Sequence, residues 1–153
     1  MPIELLSLAH ILATVVWVGG MFFAHQCLRP AALAVLEPPQ RLRLWRGVFS
    51  RFFVWVWASA LILIGSGKWL IEAMGGGAAM PMHVHVMAGI GYLMAIIFVF
   101  IWFVPYRALR QAVDAEDWPA AAAALNRIRI LVGVNLSLGL INIVVIAAGP
   151  LMA

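Results

Sequence analysis

The sequence predicts an all-α integral membrane protein, an up-down-up-down bundle of four helices forming one domain over residues 1–153. Hydrophobic residues make up 65% of the chain and charged residues 10%, which leaves too little polar surface to cover a water-soluble globule. The hydrophobic residues fall into four runs, each close to or above the ~20 residues that cross ~30 Å of hydrocarbon as a helix. Since backbone in lipid has to satisfy its own hydrogen bonds, each run predicts a transmembrane helix. The helices are expected at about residues 3–28, 52–74, 81–104 and 130–149.

The basic residues indicate how the bundle is oriented. Nine of the ten lie in or beside two connections, the one between the first two helices and the one between the last two. The glycine-rich connection from Gly75 to Met80 contains none. The positive-inside rule therefore predicts a multi-pass membrane protein with both termini and the glycine-rich loop on the outer side and both arginine-bearing connections in the cytoplasm. This topology also explains the high isoelectric point, so no nucleic-acid partner is expected.

The first two helices carry polar side chains at similar depth. His10 is expected ~10 Å below the outer end of the first helix, and it shares a face with Trp17, two turns further on. Lys68 is expected ~9 Å inside the outer end of the second helix. Two interpretations of Lys68 stay open: a snorkelling lysine paired with Glu72, or a cation beside an anionic cofactor or in a proton relay.

The third helix begins in the segment Met80–Met87, where two histidines and three methionines follow the polar loop. Pro81 is favoured in the first turn of a helix, where its missing N–H costs nothing. His83 and His85 diverge by about 200° around a helix, so only one of them faces the centre of the bundle. Thioether and imidazole groups both suit copper, and thioethers favour Cu(I).

We favour His85 as the inward-facing ligand, because Gly89, one turn further along the helix, leaves flat space beside it. This geometry favours a planar ligand such as a porphyrin beside His85, which His10 could approach across the outer third of the bundle, with Trp17, Lys68 and Gly89 as further candidate contacts. A copper ion is the alternative. The residues that could bind it are His10, His83, His85, Met80, Met82 and Met87.

The rest of the chain predicts structure rather than chemistry. Asn135 and Asn142 are seven residues apart on one face of the fourth helix, which favours hydrogen bonds to a neighbouring helix. The acidic stretch from Asp114 to Pro119 is typical of the start of a helix. Cys27 is the only cysteine, so no disulfide forms within one chain. There is no phosphate loop, HExxH motif or nucleophile with a base, and the sequence does not decide whether the protein is an enzyme.

Several motifs resemble the CopD-type copper-resistance membrane domain. The first helix contains His10-Ile11, Trp17 and Gly19-Gly20-Met21-Phe22, followed by Leu28-Arg29-Pro30-Ala31. Later matches are Met82-His83-x-His85-x-Met87, Val104-Pro105-Tyr106-Arg107-x-Leu109-Arg110, Asp117-Trp118 and Leu125-x-Arg127-Ile128-Arg129. The resemblance covers nearly the whole chain and implies a bacterial inner-membrane protein of copper uptake, export or tolerance. Full-length members are larger, so this chain resembles a small stand-alone version.

A weaker resemblance reaches the HemJ-type protoporphyrinogen oxidases, four-helix haem proteins whose first helix has a similar His-Ile-x4-Trp-x-Gly motif. This resemblance implies His10 and His85 as haem ligands. His85 stands where that family has lysine, and ligation by two histidines suits electron transfer better than the same oxidase reaction.

Four functions are therefore carried forward from the sequence. They are a haem b protein of electron transfer, a copper site or copper permease, a haem-dependent membrane oxidoreductase acting on a tetrapyrrole, and a scaffold without haem. The expected partners are the lipid bilayer, a periplasmic copper or redox partner and a second copy of the chain.

Overall fold

A computed structural model describes residues 2–151, which contain helices and turns and no strand. The first long helix has three parts in direct succession, and a break at Val104 divides the third. The elements are α1 (Ile3–Phe23), a π-helical turn (Ala24–Leu28), α2 (Arg29–Val35), α3 (Pro38–Ala73), a 3-10 turn (Gly77–Ala79), α4 (Met82–Phe103), α5 (Pro105–Asp114), α6 (Trp118–Ala148) and a second 3-10 turn (Gly149–Leu151).

Within this range, four helical stretches are long and apolar enough to cross a membrane: Ile3–Val35, Pro38–Ala73, Met82–Asp114 and Trp118–Leu151. In each stretch, only 17% to 28% of the most apolar window is buried inside the molecule. Most apolar side chains therefore face outward, where lipid solvates them. The all-α membrane bundle with four long helices is confirmed. The periplasmic location of the termini stays a prediction from the charge pattern.

Two helix pairs form most of the bundle. α1 packs mainly on α3, and α4 packs mainly on α6, which also contacts α1 and α3. Aromatic rings fill the space between the pairs: the Phe53 ring stacks on Phe49 at 4.9 Å and meets the edges of Phe98 and Tyr106 at 5.5 Å and 5.0 Å. These rings come from α3, α4 and α5, and α1 reaches them through Trp17, whose ring meets Phe98.

Small residues allow the close helix contacts. A Cβ atom added to Gly139 of α6 would lie 2.9 Å from Val18 Cγ2 and 3.2 Å from Met94 Cε. One added to Gly20 of α1 would overlap the Phe52 ring of α3, whereas one on Gly19 would meet nothing within 4 Å. Helices in lipid associate through such close approaches, because there is little hydrophobic gain in burying one apolar surface against another.

The helices extend beyond the apolar runs. α3 begins at Pro38 rather than near residue 52, and α6 begins at Trp118 rather than near residue 130. The added turns of α3 bury one stripe that includes Leu42, Trp45 and Phe49 and leave charged residues on the other side. A hydropathy window does not detect these turns because they are amphipathic. α3 is 36 residues long, or about 54 Å, and is much longer than the ~30 Å hydrocarbon layer.

Two tight turns define opposite ends of the bundle. At one, here called the glycine-loop end, α3 stops at Gly75 and Gly76, whose φ values of 105° and 83° suit glycine. The opposite, arginine-rich end contains the α2–α3 connection and the turn from α5 to α6. There Glu116 adopts φ 53°, and the Asp117 side chain accepts a hydrogen bond from the Ala120 N–H at 3.1 Å.

Candidate metal site

The inward and outward faces of α4 divide the predicted ligands into two groups. The inward face, partly or fully buried, carries His83, Met87, Ile90 and Met94. The outward face is exposed and carries Met82, His85, Gly89, Tyr92 and Ile96. Both stripes follow from the helical period, and the structure decides which of them points into the bundle.

Contacts with α6 and the turn after it hold the inward stripe in place. The Asn142 side chain donates a hydrogen bond to the Met87 carbonyl at 3.1 Å, and Asn135 donates to the Met94 carbonyl at 3.2 Å. The interhelical hydrogen bonds predicted for the two asparagines are therefore present. The His83 ring lies directly over Gly149, where any Cβ atom would overlap it. The two asparagines are seven residues apart on α6, and the two carbonyls that they bond to are seven residues apart on α4. The two hydrogen bonds together therefore fix the register of these antiparallel helices.

His83 and Met87 are the first two candidate ligands on this stripe. They are four residues apart on one helix face, a spacing that puts their Cβ atoms about 6 Å from each other. Both side chains are half-buried and lie in the first two turns of α4. An imidazole nitrogen and a thioether sulfur at this spacing can reach a common ion between them.

His85 does not point into the bundle, so that expectation is wrong. Its side chain is exposed, and its Nδ1 lies 3.2 Å from the Pro81 carbonyl of its own first turn. A Cβ atom on Gly89 would meet nothing within 4 Å, so the space beside this glycine opens outward. The reason is the close approach of α6: Gly149 accommodates a ring on the His83 side of the helix, and both asparagines bond to that side.

His10 is held by α3. Its Nδ1 lies 2.8 Å from the Ser66 hydroxyl, and the hydroxyl donates its own hydrogen to the Ile62 carbonyl at 2.5 Å. Because a serine hydroxyl has one hydrogen, Ser66 accepts from His10, which puts the ring hydrogen on Nδ1. The Nε2 lone pair of the neutral ring is then left for a ligand, an arrangement common behind metal-bound histidines.

Sequence reasoning missed Ser66. The signal was the run Gly65-Ser66-Gly67, three small residues in an otherwise apolar helix, at the depth expected for His10. Gly67 lets the imidazole sit against the α3 backbone, since a Cβ atom there would lie 3.4 Å from His10 Cε1.

The remaining predicted site residues are dispersed. Trp17 is buried in the core, with its ring 6.1 Å from Phe98. Lys68 is exposed, and in the described range no ion pair joins it to Glu72, so the predicted pairing is wrong. Met82 is 76% exposed, and Met80 is half-buried before α4.

The described residues contain no group of three or more His, Cys, Asp or Glu side chains that could hold a metal ion. A site of that composition is what a Zn²⁺ ion or a hard cation requires. Cu(I) has different needs, because it accepts methionine sulfur.

A family model described as "CopD: Copper resistance protein D" matches residues 46–149, more than half of the chain. The chain belongs to the CopD family. It is therefore a membrane protein of the copper-resistance class, in agreement with its four long apolar helices. No match was found among curated proteins or among solved structures.

The matched range of this CopD protein includes Ser66, His83, Met87 and both asparagines. It begins at Arg46, so α1, with His10 and Trp17, lies outside it. The resemblance to the HemJ-type family, which depends largely on α1, has no support among these comparisons.

Proposed function

We propose that this CopD protein binds Cu(I) as cargo at the glycine-loop end of the bundle, with His83 and Met87 as the central ligands. The observation that carries the proposal is the pairing of an imidazole and a thioether on the inward face of α4. Hydrogen bonds from α6 fix this face. A preset pair of soft donors favours Cu(I) over the harder ions of the periplasm.

Three further candidate ligands lie beside this pair in the sequence, at the aqueous end of α4. Met80 precedes α4, and Met82 and His85 are exposed in its first turn. We assign them to the capture of copper from the aqueous side, where a flexible thioether can adapt to an incoming ion. The charge pattern predicts that this end of the bundle lies in the periplasm, so we expect copper to enter from that side.

His10 supplies a deeper donor on the opposite side of the bundle. It lies seven residues into α1, about 10 Å along the helix, and Ser66 directs its ring hydrogen away from Nε2. Met94, further along the inward stripe, is buried at 4% exposure. We infer a series of soft donors that begins at the loop and continues into the apolar part of the molecule, as a copper carrier requires.

Cu(I) binding tests the proposal directly. The protein is purified in detergent and titrated anaerobically against a chromophoric Cu(I) chelator. We expect the double variant His83→Ala/Met87→Leu to bind Cu(I) at least tenfold more weakly, because both central donors are removed while the leucine keeps the methionine volume. His25→Ala is the matched control, because this histidine lies at the arginine-rich end, away from the proposed site. Its removal is expected to leave the Cu(I) affinity unchanged. Unchanged affinity of the double variant contradicts the proposal.

An absorbance spectrum of the same preparation tests the haem b hypothesis. A haem held between His10 and His85 is not part of our proposal, because His85 lies on the exposed face of α4. Protein from haem-replete cells is expected to show no Soret band. A Soret band that is present in the unmodified protein and disappears in His10→Ala would show that the ligand is haem and not copper. Electron transfer, or oxidation of a tetrapyrrole, would then be the function to propose.

A further inference from the structure

A second site lies at the other end of the molecule. A cavity of about 210 Å³ opens at the arginine-rich end, between the π-helical turn, α2, the start of α3 and the start of α6. Four basic side chains line it, His25, Arg29, Arg41 and Arg129, and no carboxylate does. Three helical segments that are distant in sequence therefore bring positive charge to one space.

The charges of these arginines are not neutralised within the described chain. Four of its arginines are half-buried: Arg29, Arg41, Arg46 and Arg129. Arg46 pairs with Asp114, and the only other ion pair in residues 2–151 joins the exposed Arg43 to Glu116. Partial burial of a guanidinium is unfavourable unless an anion or hydrogen-bond acceptors surround it. Arg41 has one such acceptor, the Leu36 carbonyl at 3.2 Å.

The walls of the cavity are apolar. Apart from the four basic residues and Asn126, they consist of aromatic and aliphatic side chains, so a ligand with only a charged group would leave most of the lining without a partner. Tryptophan is typical of the depth where headgroups meet hydrocarbon. The wall includes Leu33, Leu42, Trp45, Phe49, Trp118 and Val132.

The π-helical turn supplies two of the lining side chains. Pro30 has no N–H to donate to the Gln26 carbonyl, and its ring would clash with that carbonyl in a regular helix. The chain widens instead into a π turn over Ala24–Leu28, closed by the Arg29 N–H on the Ala24 carbonyl. Ala24, His25 and Arg29 all border the cavity. Such π turns are frequent at functional sites.

We propose that this cavity binds the phosphate of an anionic phospholipid, with an acyl chain against the apolar wall. Arginine forks hydrogen-bond phosphate oxygens in pairs, and basic pockets between transmembrane helices are suited to anionic headgroups. The three arginines hold the phosphate, and the tryptophans mark the level of the glycerol backbone. The site is separate from the copper donors, which lie at the glycine-loop end.

Native mass spectrometry of the full chain, released from neutral detergent, measures this binding with phosphatidylglycerol as the probe. We expect Arg29→Gln/Arg129→Gln to weaken retention of phosphatidylglycerol by about 25-fold, from a roughly fivefold loss for each arginine. Arg107→Gln/Arg127→Gln is the matched control, because both arginines are exposed at the same end outside the cavity. This control is expected to retain the lipid as the unmodified chain does.

Four comparisons decide the result. Phosphatidylcholine is expected to bind weakly to all variants, and glycerol 3-phosphate, which has the phosphate without acyl chains, is expected not to be retained. Retention of glycerol 3-phosphate equal to that of phosphatidylglycerol overturns the lipid assignment in favour of a free phosphate ligand. Equal loss in the two double variants overturns the site itself, since only general surface charge then matters. Arg29→Lys/Arg129→Lys preserves charge and is expected to regain most of the binding, which excludes misfolding as the cause.

Discussion

Ser66 shows how one small residue controls the chemistry of its neighbour. Its hydroxyl is already committed as a donor to Ile62, so it can only accept from His10, and this choice leaves His10 Nε2 free. A residue behind a metal-bound histidine typically changes affinity by 10- to 100-fold when it is removed.

Ser66→Ala is therefore expected to weaken Cu(I) binding at His10 by about tenfold, without removing any donor. The measurement is the chelator competition described above, carried out in the His83→Ala/Met87→Leu background so that His10 dominates the signal. Ser137→Ala is the control. Ser137 also donates to a carbonyl of its own helix, Gly133 at 2.9 Å, but among the described residues it has no hydrogen bond to a histidine. Equal effects of the two serine variants refute the role given to Ser66.

Glu116 adopts a backbone conformation that suits glycine better. It ends α5 at φ 53°, with the Asp117 N–H bonded to the Ala112 carbonyl at 2.9 Å across the turn. Glu116→Gly is expected to raise the free energy of unfolding by about 0.5–1 kcal/mol, because the left-handed region costs glycine nothing.

Thermal unfolding in detergent measures this change. The ion pair lost with Glu116 is exposed on both sides and contributes little. Ala115→Gly, one residue earlier at φ −83°, is the control and should lower stability. A lower midpoint for Glu116→Gly than for the unmodified chain would refute the strain at this residue.

At the scale of helices, sequence patterns predicted periodicity well and orientation poorly. The two stripes of α4 follow from the helical period alone, as does the spacing of Asn135 and Asn142. Which stripe faces inward depends on Gly149, more than sixty residues away, and on where α6 approaches. The burial of one face of the start of α3 could not be predicted for a related reason, because it depends on α5 and α6. The pocket of arginines from three helical segments had no local signal.

Close packing of α1 on α3 depends on Gly20. Gly20→Ala is expected to destabilise the bundle by about 1–3 kcal/mol, because the added methyl group overlaps the Phe52 ring and forces it to move. Gly19→Ala is the matched control: the neighbouring position has open space, so this variant should be neutral or slightly stabilising. The midpoint of thermal unfolding in detergent measures both. Equal midpoints for the two variants would show that this crossing does not depend on small residues.

At the scale of the whole molecule, the clustering of arginines at one end predicts its orientation in the membrane. The test starts from Cys27→Ser, which removes the only cysteine. Ala78→Cys then reports on the glycine-loop end and Ala115→Cys on the arginine-rich end, both at exposed positions. A membrane-impermeant maleimide added to intact spheroplasts should label Ala78→Cys alone, and Ala115→Cys should react only after lysis. The reverse pattern would invert the topology.

The uninterrupted length of α3 has a mechanical consequence. Arg41 lies near its first turn and Ser66 near its last two, about 37 Å apart along one rigid rod. Neither a proline nor a π turn divides the helix between them, although both interrupt the first long helix. A tilt of α3 about its midpoint therefore displaces its two ends in opposite directions by equal amounts. Such a tilt would move Arg41, which lines the cavity, and Ser66, which bonds to His10, in opposite directions.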